Sequence, residues 1–153
     1  MGIFGKMDAE NIPSNPFWIE KGEYSAEITD AKYKTNRDEK RQLVIDFTIN
    51  DEDSQYNDQK VSKYFDLVDT EMTQEAFELL PAEEKKAIRR NLSSLKNFLC
   101  GSGRNKGLGV SPDDLNDESW NPATLISTKV TMALSNYGPT NDGVNVRWAN
   151  IQE

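Results

Sequence analysis

The sequence contains no histidine and a single cysteine, Cys100. An intramolecular disulfide therefore cannot form, and a zinc site of Cys/His type cannot be assembled. Imidazole general-base catalysis is excluded as well, and with it the Ser-His-Asp and Cys-His nucleophile pairs. Cys100 follows Phe98-Leu99 and precedes Gly101 at a predicted helix end, where it reads as a small buried hydrophobe. No apolar run approaches the roughly 20 residues of a membrane span. The stretch Met1-Gly2-Ile3-Phe4-Gly5-Lys6 has neither a basic region nor an apolar signal core, and Lys6 stands where a myristoylation signal needs Ser or Thr. These absences predict a protein that stays in the cytoplasm, is not an enzyme and carries no cofactor or metal.

Positive charge is also in short supply. Lys and Arg number 18 against 26 Asp and Glu, a net charge of −8. Readers of duplex DNA usually present a strongly basic face, so that class is disfavoured. An anionic membrane surface is disfavoured for the same reason. Single-strand binding stays open: base stacking on aromatic rings supplies part of its energy, and a local basic groove can sit on an acidic body.

What is present is one domain's worth of chain. A length of 153 residues with 36% apolar content is enough to remove roughly 70% of the unfolded surface from water. Residues 1–16 carry Gly, Pro and scattered polar groups and read as a flexible N-terminal arm, with order beginning near Phe17-Trp18-Ile19. Residues 17–153 read as a single domain with a helical and loop insertion over 72–118.

Period-two alternation marks five strands. In the first, from Glu23, the residues Tyr24, Ala26 and Ile28 share a face; the phase then slips towards Ala31 and Tyr33, which predicts a bulge near Asp30. A charged loop over 36–41 precedes the second, Gln42–Asn50, with Leu43, Ile45, Phe47 and Ile49 inward. The third, Lys60–Val68, puts Val61, Phe65 and Leu67 inward, with Lys63 out of pattern as a side chain that snorkels from the barrel end.

The period then changes to 3.6. Thr73–Leu80 reads as a short helix. Pro81 opens a second, with Ile88, Leu92, Leu95 and Leu99 as its apolar stripe and Gly101 as its C-cap. A glycine-rich loop follows, predicted to be flexible, and then a brief helix capped by Ser111. Alternation returns from Thr124 to Leu134. A hairpin over 136–145 leads to the last strand, in which Val146 and Trp148 are expected in the core. Trp18 and Trp120 read as structural.

The order of three strands, helices, then two strands is that of the OB-fold: a mainly β, five-stranded Greek-key barrel with helices between strands 3 and 4. Another small barrel or an open α+β sheet fits the same count of strands. The run Lys21-Gly22-Glu23-Tyr24-Ser25-Ala26-Glu27-Ile28-Thr29-Asp30-Ala31-Lys32, with Leu43-Val44-Ile45-Asp46-Phe47 and Val146-Arg147-Trp148-Ala149-Asn150, resembles phage and prophage single-stranded DNA-binding proteins over about residues 20–152. The resemblance implies an OB-fold that protects single-stranded DNA during phage replication or recombination, inside a bacterial host cell, with replication or recombination proteins as further partners. The sequence ends Asn150-Ile151-Gln152-Glu153 without a long acidic tail, which counts against recruiting partners that way.

In such a barrel Val44, Asp46 and Thr48 face outward beside Ser62, Tyr64 and Asp66, and strand 5 lies next to strand 3, bringing Arg147 towards Tyr64. A ring and a guanidinium on one face can stack bases and hold phosphates. The loop after strand 1 adds Lys34, Arg37, Lys40 and Arg41. Lys32 and Lys63 flank the face, Arg104 and Lys106 ride on the glycine-rich loop, and Tyr137 stands in the last hairpin. Against this, Asp46 and Asp66 share the face and repel phosphates, and Asp38 and Glu39 interrupt the loop's cations. Two other functions remain open. One is an acidic protein-interaction or regulatory barrel without nucleic-acid affinity. The other is a magnesium-dependent nuclease using Asp46, Asp66 and Asp69. The loop from Gly101 to Gly107 follows a helix and lacks the Gly-Lys-Ser/Thr ending of a phosphate-cradling loop, so nucleotide hydrolysis is excluded.

Overall fold

The computed structural model of the chain describes residues 2–3, 5–12, 14–68 and 72–152. Its frame is one five-stranded antiparallel sheet: β1 (Gly22–Thr35), β2 (Arg41–Ile49), β3 (Lys60–Asp66), β4 (Lys129–Tyr137) and β5 (Gly143–Ile151). Helices α1 (Gln74–Glu78), α2 (Ala82–Cys100) and α3 (Pro112–Leu115) lie between β3 and β4 in the chain. The strand order is β3-β2-β1-β4-β5.

The long β1 serves both halves of the sheet. Its first residues pair with β4, from Gly22 opposite Leu134 to Glu27 opposite Lys129. Its pairing with β2 runs from Ala26 opposite Ile49 to Thr35 opposite Arg41, so Ala26 and Glu27 are paired on both sides. A bulge interrupts the β1–β2 ladder between Ile28 and Asp30, just past the last β4 pair, where the alternation of the sequence slips. A bulge bends a strand and raises its twist, which lets one strand belong to two curving halves.

That curvature brings the sheet's edges together without joining them. A backbone ladder between β3 and β5, expected for a closed barrel, does not form, so the hydrogen-bonded sheet is open there. Lys63 on β3 instead donates a hydrogen bond from Nζ to Asn145 Oδ1 on β5, at 2.8 Å. Lys63 is half-buried and lies over the rings of Phe65 and Phe98, at 5.5 and 5.8 Å from their centroids. It therefore spans the seam rather than reaching out of the barrel end.

Inside the curve, Ile28, Leu43, Ile45, Phe47, Ile49, Val130, Met132, Leu134 and Val146 form the core, and Ile19 joins them ahead of β1. The inward apolar side chains on β1, β2, β4 and β5 explain why the sheet holds its register: a one-residue slip would turn each strand's apolar set outward. The C-terminal end of α2 closes over this core, with Leu108, Val110 and Leu125 from the segments that follow. Leu95, Phe98 and Leu99 are buried, whereas Leu92 is 38% exposed, so the predicted stripe docks by its C-terminal half alone. Phe98 meets Phe47 and Phe65 edge-to-face, with centroids 6.2 and 5.0 Å apart.

The glycine-rich segment is compact, contrary to its expected flexibility. Ser102 and Asn105 exchange backbone hydrogen bonds, Leu108 and Val110 both donate to Leu99 O, and Ile151 donates to Gly107 O. Gly101 and Gly107 touch backbone to backbone at φ of 89° and 67°, a meeting no side chain permits.

Three other expectations shift. The fourth strand begins at Lys129, because Pro122–Leu125 is a 3₁₀ turn capped by Asn121 and Ser127 has φ of 77°. Val146 is buried, but Trp148 is only half-buried. A second bulge makes Val146 oppose Leu134 and Trp148 oppose Ala133, with Arg147 as the extra residue, so Ala149 takes the inward position. Within the expected N-terminal arm, Asn15 donates to Asp142 O at 3.2 Å; just beyond it, Trp18 donates to Asn141 O at 2.9 Å.

Candidate nucleic-acid interface

The outer face of β1, β2 and β3 is built in rows set by the register. Lys32 opposes Val44, and Val44 opposes Tyr64. Val44 points away from the core yet is only 5% exposed, while Tyr64 beside it is 53% exposed. An outward valine is hidden only where its cross-strand neighbours lie over it, and the register makes these the Lys32 stem and the Tyr64 ring. The adjacent outer row is Lys34, Gln42 and Asp66.

At the same end of the ladder Arg41 lies over the Tyr33 ring, 5.1 Å from its centroid. Tyr33 occupies an inward phase but sits beyond the packed core and is 44% exposed. The turn carrying Arg37 and Lys40 is ordered by Asn36, whose Oδ1 accepts from Asp38 N and Lys40 N and whose N–H donates to Lys40 O. Both cations are exposed. Lys40 also lines a hollow of about 280 Å³ with Asp66, Leu67 and Ile88. Lys32, Lys34, Arg37, Lys40, Arg41 and Tyr64 are thus gathered at one end of the β1–β2–β3 ladder.

Carboxylates share the face, and three of them are engaged. Asp30 pairs with Lys32 at 3.4 Å and Asp46 with Lys60 at 3.5 Å. Ser62 donates to Asp46 Oδ1 at 2.5 Å, and Gln42 donates to Asp66 Oδ1 at 2.8 Å. The two ion pairs contribute little to stability but cancel charge locally, whereas the amide of Gln42 is neutral and leaves the charge of Asp66 in place. Among the described residues no three His, Cys, Asp or Glu are grouped to hold a metal ion. Asp69 lies outside the described residues.

The remaining expected site residues divide among three places. Lys63 belongs to the seam, and burial pushes its ammonium below the usual lysine pKa. Tyr137 is 59% exposed at the far hairpin. It opposes Gly143, where an added Cβ would fall 2.5 Å from the Tyr137 ring, so the ring lies flat over that glycine.

Arg147 sits on the other side of the seam, at the β5 bulge. Strands β3 and β5 run in the same direction, since an even number of antiparallel pairings separates them. With Asn145 level with Lys63, Arg147 falls towards the Phe65 level. There it lines a groove of about 230 Å³ between β5 and the end of α2, together with Trp148, Phe98 and the loop that bears Arg104 and Lys106.

Two elements of this surface escaped the sequence reading. Tyr33 was read only as an apolar position, although an aromatic and an arginine flanking one short hairpin turn are a signal for a cross-strand stack. Trp148 was assigned to the core because the bulge that turns it outward has no glycine or proline to mark it.

No protein-family model matches the chain, and no curated protein matches it at a significant level.

Proposed function

We propose that the chain is a sequence-tolerant single-stranded DNA-binding protein of the OB type, acting in phage DNA replication or recombination, with single-stranded DNA as its partner and no catalytic step of its own. The OB reading is supported by the sheet order, by the approach of the β3 and β5 edges, and by the helices between β3 and β4 in the chain. The phage setting is supported by the sequence resemblance.

The observation that carries the binding reading is a pair of exposed rings at the cation-bearing end of the ladder: Tyr64 on the outer face, and Tyr33, stacked with Arg41, on the opposite face beyond the packed core. Exposed rings accept bases of any identity because every base has a π-face, and neighbouring Lys and Arg hold the phosphates. Two of the carboxylates on the outer face, Asp30 and Asp46, are ion-paired, so they oppose the strand less than their number suggests.

Titration with oligothymidine at rising salt tests this. Binding quenches tyrosine fluorescence, and log K falls with log salt at about 0.7 per phosphate contacted. No quenching and no gel shift at low salt would remove the proposal. In that outcome the chain's net charge of −8 favours an acidic protein-interaction module instead.

A further inference from the structure

The groove between α2 and β5 differs from the rest of this acidic surface. Its polar walls are Ser94, Asn97, Ser102, Asn105, Arg147 and Asn150, faced by the Trp148 ring. No carboxylate is among them, in a chain with 26 Asp and Glu. Instead the walls offer two hydroxyls, three amides, a guanidinium and an indole.

Those groups are uncommitted. Among the described residues, the side chains of Ser94, Asn97, Ser102, Asn105, Arg147 and Trp148 take part in no hydrogen bond, ion pair or ring contact. Asn150 uses only Oδ1, which accepts from Gly107 N at 3.0 Å, leaving its Nδ2 donors turned to other work. The frame behind them is fixed: Leu108 and Val110 tie the loop to α2, and Ile151 ties it to β5. A rigid groove with unused polar groups and an aromatic wall is a recognition site rather than a packing defect.

Its size and chemistry select the ligand. At about 230 Å³ it is smaller than the ~300–1,000 Å³ of drug-sized sites. It suits one flat heterocycle with polar edges. The indole offers a stacking face, the amides offer paired donors and acceptors to base edges, and Arg147 offers a phosphate contact.

We infer that the α2–β5 groove takes one unstacked nucleotide of the bound strand, its base against Trp148 and the amides of Asn97, Asn105 and Asn150, its phosphate on Arg147. This rests on the single-strand reading above. It adds a base-edge contact on the far side of the Lys63–Asn145 seam from the exposed tyrosines of the β1–β2–β3 ladder.

The test uses the full chain, labelled with ¹⁵N, and oligothymidine of about eight nucleotides, within the usual span of an OB-fold. The expected result is movement of the Trp148 indole signal and of the side-chain amides of Asn97, Asn105 and Asn150. In parallel, Arg147→Gln lowers the salt slope by about 0.7, the loss of one single-strand phosphate contact. Arg147 is exposed, so this variant keeps the fold. Oligothymidine that binds, shifts the Tyr33 and Tyr64 region and leaves the groove signals and the slope unchanged overturns the groove and spares the general reading. Absence of any binding at low salt overturns both.

Discussion

Lys63 and Asn145 meet across the seam between the two edge strands, Nζ to Oδ1 at 2.8 Å, where no backbone ladder joins β3 to β5. A single side-chain bond with an ammonium donor, backed by the Phe65 and Phe98 rings, bridges the gap. Hydrogen bonds to charged groups contribute about 1.5–3 kcal/mol, less when half exposed. Lys63→Ala is expected to destabilise the protein by about 1–2 kcal/mol. For a domain of this size that lowers Tm by roughly 2–8 °C. An unchanged melting curve would show that the seam is held by something else.

The same lysine predicts a pH effect of definite sign. Burial holds its folded-state pKa below the ordinary 10.5. Between the folded and unfolded values the unfolded chain binds more protons, so this group makes stability rise with pH in that window, just below 10.5. Denaturant melts of wild type and Lys63→Met across that range isolate the contribution. Wild type gains on the variant as pH rises; parallel profiles would refute the assignment.

Tyr64 separates stacking from hydroxyl chemistry. Tyr64→Phe is expected to keep oligothymidine affinity, because the ring face is retained. Tyr64→Ala is expected to lose about 1–3 kcal/mol of stacking, roughly a 5- to 150-fold weaker Kd. Fluorescence titration of both variants decides it, and equal affinities for Phe and Ala would remove Tyr64 from the binding surface.

Two glycines with left-handed backbones should respond differently. Gly107 has φ of 67°, and an added Cβ would lie 2.9 Å from Gly101 Cα and 3.0 Å from the Cys100 carbonyl carbon. Gly138 has φ of 91° and open space around it. Gly138→Ala therefore costs only backbone strain, about 1 kcal/mol, while Gly107→Ala costs more than about 3 kcal/mol because backbone must move. Comparable unfolding midpoints for the two would contradict the packed loop.

Cys100 ends α2 against that loop, and burial raises its thiol pKa. Its alkylation at neutral pH is expected to be slower than that of an unfolded chain, with Gly107→Ala restoring speed. Equal rates in folded and denatured protein would show an open loop.

Much of the frame was readable in advance because strand and helix periodicity are local properties. Alternation located all five strands, the slip near Asp30 marked a bulge, and Thr73 and Ser111 announced helix starts that their side-chain caps confirm. The exposed cations and Tyr64 on β1–β3 could be listed from the same alternation. Misreadings cluster where one distant partner outweighs local pattern. Trp148 carries the right residue type for a core position, yet the bulge at Arg147 rotates it to the groove. The glycines of 101–107 looked like freedom but serve close backbone contact.

By itself the sequence determined what chemistry is unavailable and which residues alternate, since both depend on residue type and spacing alone. Only the tertiary structure decided that β3 and β5 meet through Lys63 and Asn145, that Arg41 covers Tyr33, and that a carboxylate-free groove opens beside Arg147. Those relations join residues far apart in the chain or across a turn. They depend on how strongly a bulged sheet curls, a sum of small twists that no single stretch of sequence records.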